Sequence, residues 1–556
     1  MATSPNRAKL HGEFDYIVVG AGSAGSVVAS RLSEDPNVSV LIIEAGSHYN
    51  NPLYTMPLLA GRLFEMKQHN WFYHTVPQKR LNNRVLFMPR GKMVGGSFVF
   101  NGTQYVRGNR YDYDLWAQLG ARGWSYAEVL PYFKRSEAYH GEESVYHGKS
   151  GNLTVSKLPV VSEVTKAWLN AAEQAGHRRN EDFNGAAQDG FGTYDFNLRN
   201  GKRWTTALAF LYPALERPSL SIVVNALCKR VVIGEGRATG VEFLQGQDLK
   251  FAKARREVIL CGGSINSPQL MQLSGLGDAR HLEQLGLPVV RHMPEVGRNM
   301  QDHLYVLMGY ECLKPVSLIH ALRVDRLVIG MLNAFFRGRG QVSRSPLEAG
   351  GFFHSKPGLG APDMQANFVP IMNLDARIWA PWEARGIRDT FAGYVWQNRA
   401  ESKGTVMLRS PDPREAPVVD PNYLDAENDL ITTREGVREA RRIIMQPALD
   451  AYRGKELPPS AGMNSDNEID AFIRERAGTN HHSCGTLRMG SDPNSVVDPE
   501  LRVRGVDGLR VADASVMPTV VTANTNATTI MIGEKASDLI RGRRLQPIET
   551  DMTAIA

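Results

Sequence analysis

Phe14-Asp-Tyr-Ile-Val-Val-Gly20-Ala-Gly22-Ser-Ala-Gly25, continued by Ser26 to Ser33 and by Val38 to Ile43 ending at Glu44, is the stretch that decides the fold. An apolar run enters a glycine turn, a helix-forming segment follows, and a second apolar run closes on an acid. Strand, turn, helix, strand, acid is the order that a dinucleotide site needs. Gly20 makes the tight turn, Gly22 lets the backbone approach a pyrophosphate, and Gly25 lets the helix pack close to the strand. Ser23 and Ala24 open the helix, whose N-terminus turns unpaired N–H groups and a positive dipole end toward phosphate. Glu44, with Ala45 behind it, can accept hydrogen bonds from a ribose 2′-hydroxyl and disfavours a 2′-phosphate.

The chain around this unit has 556 residues, more than one core usually holds, so two domains or one with large insertions are expected. Its 42% apolar and 22% charged residues are those of a globular protein. The longest apolar stretch, around Leu327 to Phe336, is too short and too broken for the roughly 18 residues of a membrane span, so no integral membrane segment is expected. Met1 to Glu13 carries basic residues without an apolar segment after them and is read as a flexible leader, not a secretory signal. The four cysteines, Cys228, Cys261, Cys312 and Cys484, are widely separated. That spacing predicts neither a metal cluster nor a disulfide framework and fits a reducing cytoplasm. The 64 basic residues against 58 acidic ones are dispersed, so the net +6 reads as solvated surface and gives no support for nucleic acid.

Organisation follows from where strand signals stop and resume. Helical patterns cover Tyr126 to Ser136 and Glu163 to Gly176. Strand signals occupy Ser221 to Val224, Arg230 to Ile233, Ala238 to Phe243 and Glu257 to Leu260, with an antiparallel pair about Gly234-Glu-Gly236. From Asp498 a strand (Leu509 to Ala512) and a helix (Thr528 to Arg541) return and are expected to pack back on the first sheet. The predicted class is α/β: a discontinuous Rossmann-like nucleotide-binding domain from 14–155, 221–304 and 485–545. An α+β substrate-binding domain with an antiparallel sheet, 156–220 and 305–484, is inserted into it, and 1–13 is the leader.

Four further segments carry chemistry. They are Pro89-Arg90-Gly91-Lys-Met-Val-Gly95-Gly96-Ser97-Phe-Val-Phe-Asn101-Gly102-Thr103, Gly263-Ser-Ile-Asn-Ser267-Pro268 to Gly277, Thr479-Asn-His481-His482-Ser483-Cys484-Gly485-Thr486 to Gly490, and Val511-Ala-Asp513-Ala514 to Pro518, continuing to Asn524-Thr525-Asn526. With the N-terminal fingerprint, and in this order from about Phe14 to about Arg541, they resemble the glucose–methanol–choline oxidoreductases, most closely the choline dehydrogenase-like bacterial branch. The resemblance implies FAD and oxidation of an alcohol. The residues themselves suit a flavin: the glycine turn for the pyrophosphate, Glu44 for the adenosine ribose, and Gly95-Gly96 and Asn101-Gly102 for close backbone approach to the ring system. The resemblance also brings Arg90, Gly91, Ser97, Thr103 and Thr525 to the cofactor, places Asp513 and Ala514 at its ribityl–phosphate part, and gives the adenine to the backbone of Val231. Asn101 stands where some members attach flavin covalently through histidine, so noncovalent FAD is expected. Phe98 and Phe100 depart from the usual residues there.

Alcohol oxidation by flavin needs a group that takes the hydroxyl proton while the carbon gives up a hydride, and histidine is suited to it. With Thr479 setting the register, His482 takes the family's catalytic place; His481 is expected to point elsewhere, packed or at the surface. Asn524 matches the second active-site residue, with Asn526 as the close alternative, and its amide can position the substrate oxygen. Ser483 replaces a usual proline. Cys484 is read as a buried structural thiol. Trp379, Trp382 and Trp396 are candidates to wall an apolar pocket, although core packing is the default for each. The reading is thus an FAD-dependent alcohol dehydrogenase or oxidase that turns a primary alcohol, apolar or aromatic rather than choline, into an aldehyde. Its acceptor is oxygen or a quinone- or dye-type molecule, and homodimerisation is an option. The alternative is a same-fold lyase or photodecarboxylase.

Overall fold

Val40-Leu-Ile-Ile43 forms a strand in which all four residues are buried, the mark of a parallel strand covered on both faces. It pairs in parallel with strand Lys9–Val19 on one side and Leu220–Val223 on the other. Lys9–Val19 pairs in parallel with Asp248–Leu260, and the end of the latter pairs with Leu509–Val511. Arg237–Gln245 and Ala226–Gly234 extend this sheet as an antiparallel meander. The computed structural model describes residues 9–48, 51–59, 63–64, 66–372 and 388–550. Trp379 and Trp382 lie outside them. One expectation is corrected: residues 9–13 are not leader but the start of the first strand, because Lys9 to Glu13 find partners from Lys250 to Lys253.

Helix Ser23–Leu32 leaves the first strand at Gly22 and lies against helix Thr525–Ile540. A Cβ on Gly533 would stand 2.9 Å from Ala24 O, so the two helices cross at a glycine. The C-terminal strand and helix therefore complete the first sheet, which places Asn526 beside the glycine turn, its Oδ1 accepting from Ser23 Oγ.

The second sheet is antiparallel, in the order Arg453–Glu456, Leu304–Cys312, Thr390–Gln397, Met364–Val369, Ala349–Phe353, Gly190–Thr193, with Gly478–Thr479 beside the start of Leu304–Cys312. Alternation sorts its faces. Phe368 and Val395 pack with the buried face of helix Glu427–Ile444, while Asn367, Val369, Tyr394 and Trp396 turn to a cavity between this sheet and the nucleotide unit. Among the described residues no helix is long and apolar enough to cross a membrane, and no group of His, Cys, Asp and Glu could hold a metal ion.

Candidate active site

One continuous cavity of about 400 Å³ runs from Glu44 to His482. Its nucleotide end is built by glycines that tolerate no side chain. Gly20 sits at φ +103° with its Cβ position 2.6 Å from Cys261 O, and a Cβ on Gly25 would lie 1.9 Å from Gly20 O. The second glycine turn is pressed on the first: Gly95 N–H donates to Ala21 O at 2.8 Å, and a Cβ on Gly96 would lie 2.8 Å from Gly22 Cα. Glu44 is buried and accepts from Ala21 N–H at 2.9 Å and Gly46 N–H at 2.8 Å. Burial pulls its carboxyl up to about 7 against these donors. Asp513 accepts from Gly263 N–H at 2.8 Å, Ser267 Oγ at 2.6 Å, and both Ser515 N–H and Oγ. Its carboxylate thus ties the start of helix Gly263–Leu273 to the C-terminal strand.

At the other end a chain of hydrogen bonds fixes the tautomers. His303 Nε2 lies 3.1 Å from Asn398 O, a carbonyl that can only accept, so this nitrogen carries the proton. His303 Nδ1 is then an acceptor, and at 2.9 Å it takes the Nδ1–H of His482. His482 Nε2 is left with its lone pair, 3.2 Å from Asn524 Nδ2, which donates to it. Asn524 is the N-cap of helix Thr525–Ile540, a position at which asparagine usually bonds to its own helix. Here its side chain makes no cap bond and reaches the histidine instead. Burial, then the neighbouring His303, His481 and Arg90, hold the His482 ring well below the usual histidine range. Burial also lowers His303, to about 4. Both rings are therefore neutral at ordinary pH.

Asp302 supports this pair from behind. Its Oδ1 accepts from His482 N–H at 2.7 Å and His303 N–H at 2.9 Å, and its Oδ2 from Tyr423 Oη and Thr479 Oγ1, each at 2.6 Å. Arg90 donates to His481 O at 2.9 Å and to Ser483 Oγ, which also lies 2.7 Å from Ser264 Oγ. The serine that replaces proline thus anchors a guanidinium that proline could not bind.

Gly20, Gly22, Ser23, Ala24, Glu44, Ala45, Arg90, Gly91, Ser97, Asn101, Gly102, Thr103, Asp513, Ala514, Thr525, His482 and Asn524 all line the cavity. Gly25 and Gly95 stand behind it as packing glycines. Val231 corrects the sequence reading: it is buried in the core, its N–H donates to Ser274 Oγ at 2.8 Å, and the wall of that strand is Ala226, Leu227 and Cys228. His481 corrects it too. At φ +62° the chain turns so that His481 also reaches the cavity wall, against Phe64 at 5.8 Å. Asn526 faces the phosphate turn, accepting from Ser23 Oγ at 2.6 Å. Phe100 is on the wall, while Phe98 is core. Cys484 is buried off the wall, its thiol pushed up by burial. Sequence reasoning missed His303 and Asp302, whose only local signal was a histidine following an acid just before a strand.

Five buried polar atoms on the wall have no protein partner: Asn524 Oδ1, Asn526 Nδ2, His481 Nδ1, Asn480 Nδ2 and Trp396 Nε1. Buried polar groups seldom stay unpaired. These atoms, with the glycine cradle and Glu44, suit a large polar cofactor such as FAD and a substrate oxygen beside it. Asn101 Oδ1 is occupied by Thr103 N–H and Arg203, and no imidazole stands there for a covalent link.

Residues 14–305 and 400–533 match the N- and C-terminal family models described as GMC oxidoreductase. Mitochondrial choline dehydrogenase of Mus musculus is 44% identical over 541 residues, 95% of this chain and 90% of that one. The oxygen-dependent choline dehydrogenase of Rhizobium etli is 44% identical over 95% of this chain and 96% of its own. Among solved structures, pyridoxine 4-oxidase from Mesorbium loti superposes with a TM-score of 0.86 at 29% identity, covering 96% of this chain and all of that one (100%).

Proposed function

The chain belongs to the GMC oxidoreductase family and is an FAD-dependent oxidoreductase acting on a CH–OH donor, and we propose that His482 and Asn524 oxidise a neutral, apolar or aromatic primary alcohol to its aldehyde. The observation that carries the assignment is the tautomer chain from Asn398 through His303 to His482, which leaves one basic lone pair, Nε2, on the cavity side next to an amide.

The alcohol oxygen accepts from Asn524 Nδ2–H, which rests on His482 Nε2 until the substrate takes its place and frees that lone pair. His482 Nε2 takes the hydroxyl proton. His303 keeps Nδ1–H engaged, so the ring cannot offer the wrong nitrogen. Bound FAD supplies the hydride acceptor. Gly20, Gly22, Ser23, Ala24, Glu44 and the turn from Gly91 to Thr103 would hold it, with Asp513 able to contribute only through its backbone because its carboxylate already accepts four hydrogen bonds. Asn101 makes this binding noncovalent.

The substrate class rests on charge. Phe64, Trp71, Phe100, Leu347, Val369, Tyr394 and Trp396 wall the cavity near the pair. Among the described lining residues the only carboxylates are Glu44 and Asp513, both in the nucleotide half. Among the described lining residues no free anion is left to meet a quaternary ammonium. Trp71, a face on which a cation could rest, already carries Lys92 Nζ at 4.7 Å from its centroid. Choline, the substrate named for the dehydrogenase relatives, is the second reading, favoured by their identity and by the aromatic rings of Phe64, Tyr394 and Trp396 on the wall; the lyase and decarboxylase alternative has no support among them.

Anaerobic bleaching of the bound flavin tests this directly. Benzyl-type alcohols should bleach it and choline should not; bleaching by choline and by none of the aromatic alcohols would overturn the substrate class. His482→Ala should slow bleaching by about 10²-fold or more, and an unchanged rate would remove His482 from the mechanism. The speed of reoxidation in air then separates oxygen from a quinone- or dye-type acceptor.

A further inference from the structure

Helix Val324–Arg337 turns toward solvent a face that water-facing helices rarely carry. Ile329 is 61% exposed, Leu332 53% and Phe336 75%, with Val328 and Phe335 also exposed. Spaced at 328/329, 332 and 335/336, they form one stripe of the 3.6-residue period. The opposite face is fully engaged: Leu327 and Ala334 pack with Leu318, Ile319, Leu322 and Val342. The same apolar cluster takes in Val369, Leu347 and Tyr394, which line the catalytic cavity. The exposed stripe therefore stands one apolar layer outside the site. An exposed contiguous apolar face of this kind marks an interaction surface.

Charge identifies its occupant. From residue 313 to 347 the chain carries Lys314, Arg323, Arg326, Arg337, Arg339 and Arg344 against a single acid, Asp325. Arg326, Arg337 and Arg339 have no ion-pair partner among the described residues. Lys202 Nζ lies 5.2 Å from the Phe335 ring centroid, adding a cation at the edge of the stripe. An apolar stripe rimmed by arginine and lysine, on a helix too short to span, has the composition of a helix that lies in the plane of a membrane interface. A second copy of the chain would fit poorly: a two-fold contact sets the same patch against itself and brings like charges together. A bilayer with anionic headgroups satisfies both halves at once.

We propose that helix Val324–Arg337 seats the protein on the surface of a membrane containing anionic lipid, with Ile329, Leu332, Phe335 and Phe336 entering the interface and Arg326, Arg337 and Arg339 meeting the headgroups. The cavity then lies beneath a docked wall, where apolar alcohols concentrate.

The test is co-sedimentation of the FAD-loaded protein with phosphatidylcholine vesicles, with and without phosphatidylglycerol. The wild-type protein should sediment with the anionic vesicles, weakly with the neutral ones, and less as salt rises. Ile329→Glu with Phe336→Glu should lower the vesicle partition by about tenfold or more. Arg337→Gln and Arg339→Gln should each lower it about fivefold on the anionic vesicles alone. Flavin content and anaerobic bleaching by a water-soluble alcohol should stay at wild-type values in all of them, so this reading can fail while the proposed chemistry stands. Wild-type protein that sediments with neither vesicle overturns the proposal. So does an acidic double variant that binds like wild type. A wild-type dimer that the double variant dissociates, without vesicle binding, assigns the face to a second copy instead.

Discussion

Replacing His303 by leucine isolates the tautomer lock. Leucine fills most of the imidazole's volume but offers no acceptor, so the buried His482 Nδ1–H, which now donates at 2.9 Å, loses its partner. An unpaired buried donor costs about 1–3 kcal/mol. The ring escapes that cost by moving its proton to Nε2, the nitrogen that must be bare to accept from the alcohol. At 1.36 kcal/mol per factor of ten, the productive tautomer should fall by about 5- to 150-fold. Flavin reduction under anaerobic stopped flow should slow by a similar factor, about 10- to 100-fold at saturating alcohol. Flavin content should not change, because His303 does not line the cavity. The control is His303→Asn, whose Oδ1 falls close to the place of the histidine Nδ1 and can accept the same proton. It should stay within about threefold of wild type, since the acceptor is retained. A leucine variant at the wild-type rate, or an asparagine variant as slow as the leucine one with its flavin bound, would refute the lock.

Three further outcomes are expected. Asn524→Ala should impair flavin reduction with FAD retained, whereas Asn526→Ala, which removes the acceptor for Ser23 Oγ on the phosphate turn, should weaken FAD retention and leave the reduction rate of loaded protein near wild type; the two readouts are bleaching kinetics and flavin content after gel filtration. Gly25→Ala forces a methyl against Gly20 O at 1.9 Å and Cys261 Cβ at 3.0 Å; with backbone as one partner it should cost about 3 kcal/mol or more, read as a lower melting temperature and loss of bound flavin. Acid precipitation should release all yellow colour to the supernatant and leave a colourless pellet, as Asn101 offers no covalent attachment; a washed pellet that stays yellow contradicts this.

The nucleotide end was legible in the sequence because its constraints are local. A tight turn, a backbone that must approach phosphate and a helix that must touch a strand each demand glycine within a few residues, and the apolar runs on either side state that the strands are buried. Val231 came from the family resemblance and not from a local signal. On the strand Ala226–Gly234 the residues at the cavity are Ala226, Leu227 and Cys228, and Val231 lies past a register shift between Cys228 and Arg230. The catalytic end was legible only in part. His482 and Asn524 stand in recognisable segments, but the histidine that decides which nitrogen is basic lies 179 positions away in sequence and meets it only through the two-sheet architecture. The face taken by His481 depends on one left-handed residue, a conformation that sequence does not announce at a histidine. Helix Val324–Arg337 showed in the sequence only as an apolar run too short to span, because an amphipathic stripe is defined by which neighbours cover it.

The electrostatics of the catalytic end show how a low-lying histidine can still serve as the base in the proposed mechanism. Proton transfer from a neutral alcohol to neutral His482 creates an alkoxide beside an imidazolium. Arg90 makes the imidazole a poorer base, but the same positive charge makes the alcohol a better acid. For two groups that share one proton across a hydrogen bond, these effects largely cancel. What does not cancel is burial, which penalises the charged pair as a whole. The pair is therefore costly to form and short-lived, and catalysis gains if hydride departure neutralises the alkoxide as it appears. The protein's contribution lies in geometry fixed beforehand: a lone pair aimed by His303, an amide freed from its capping duty at Asn524, and Asp302 holding both histidine backbones in place. A cationic alcohol would add a second positive charge to a wall on which Arg90 stands and whose described carboxylates, Glu44 and Asp513, both belong to the nucleotide half. On the proposed reading, the charge of the cavity, more than its size, would select a neutral substrate.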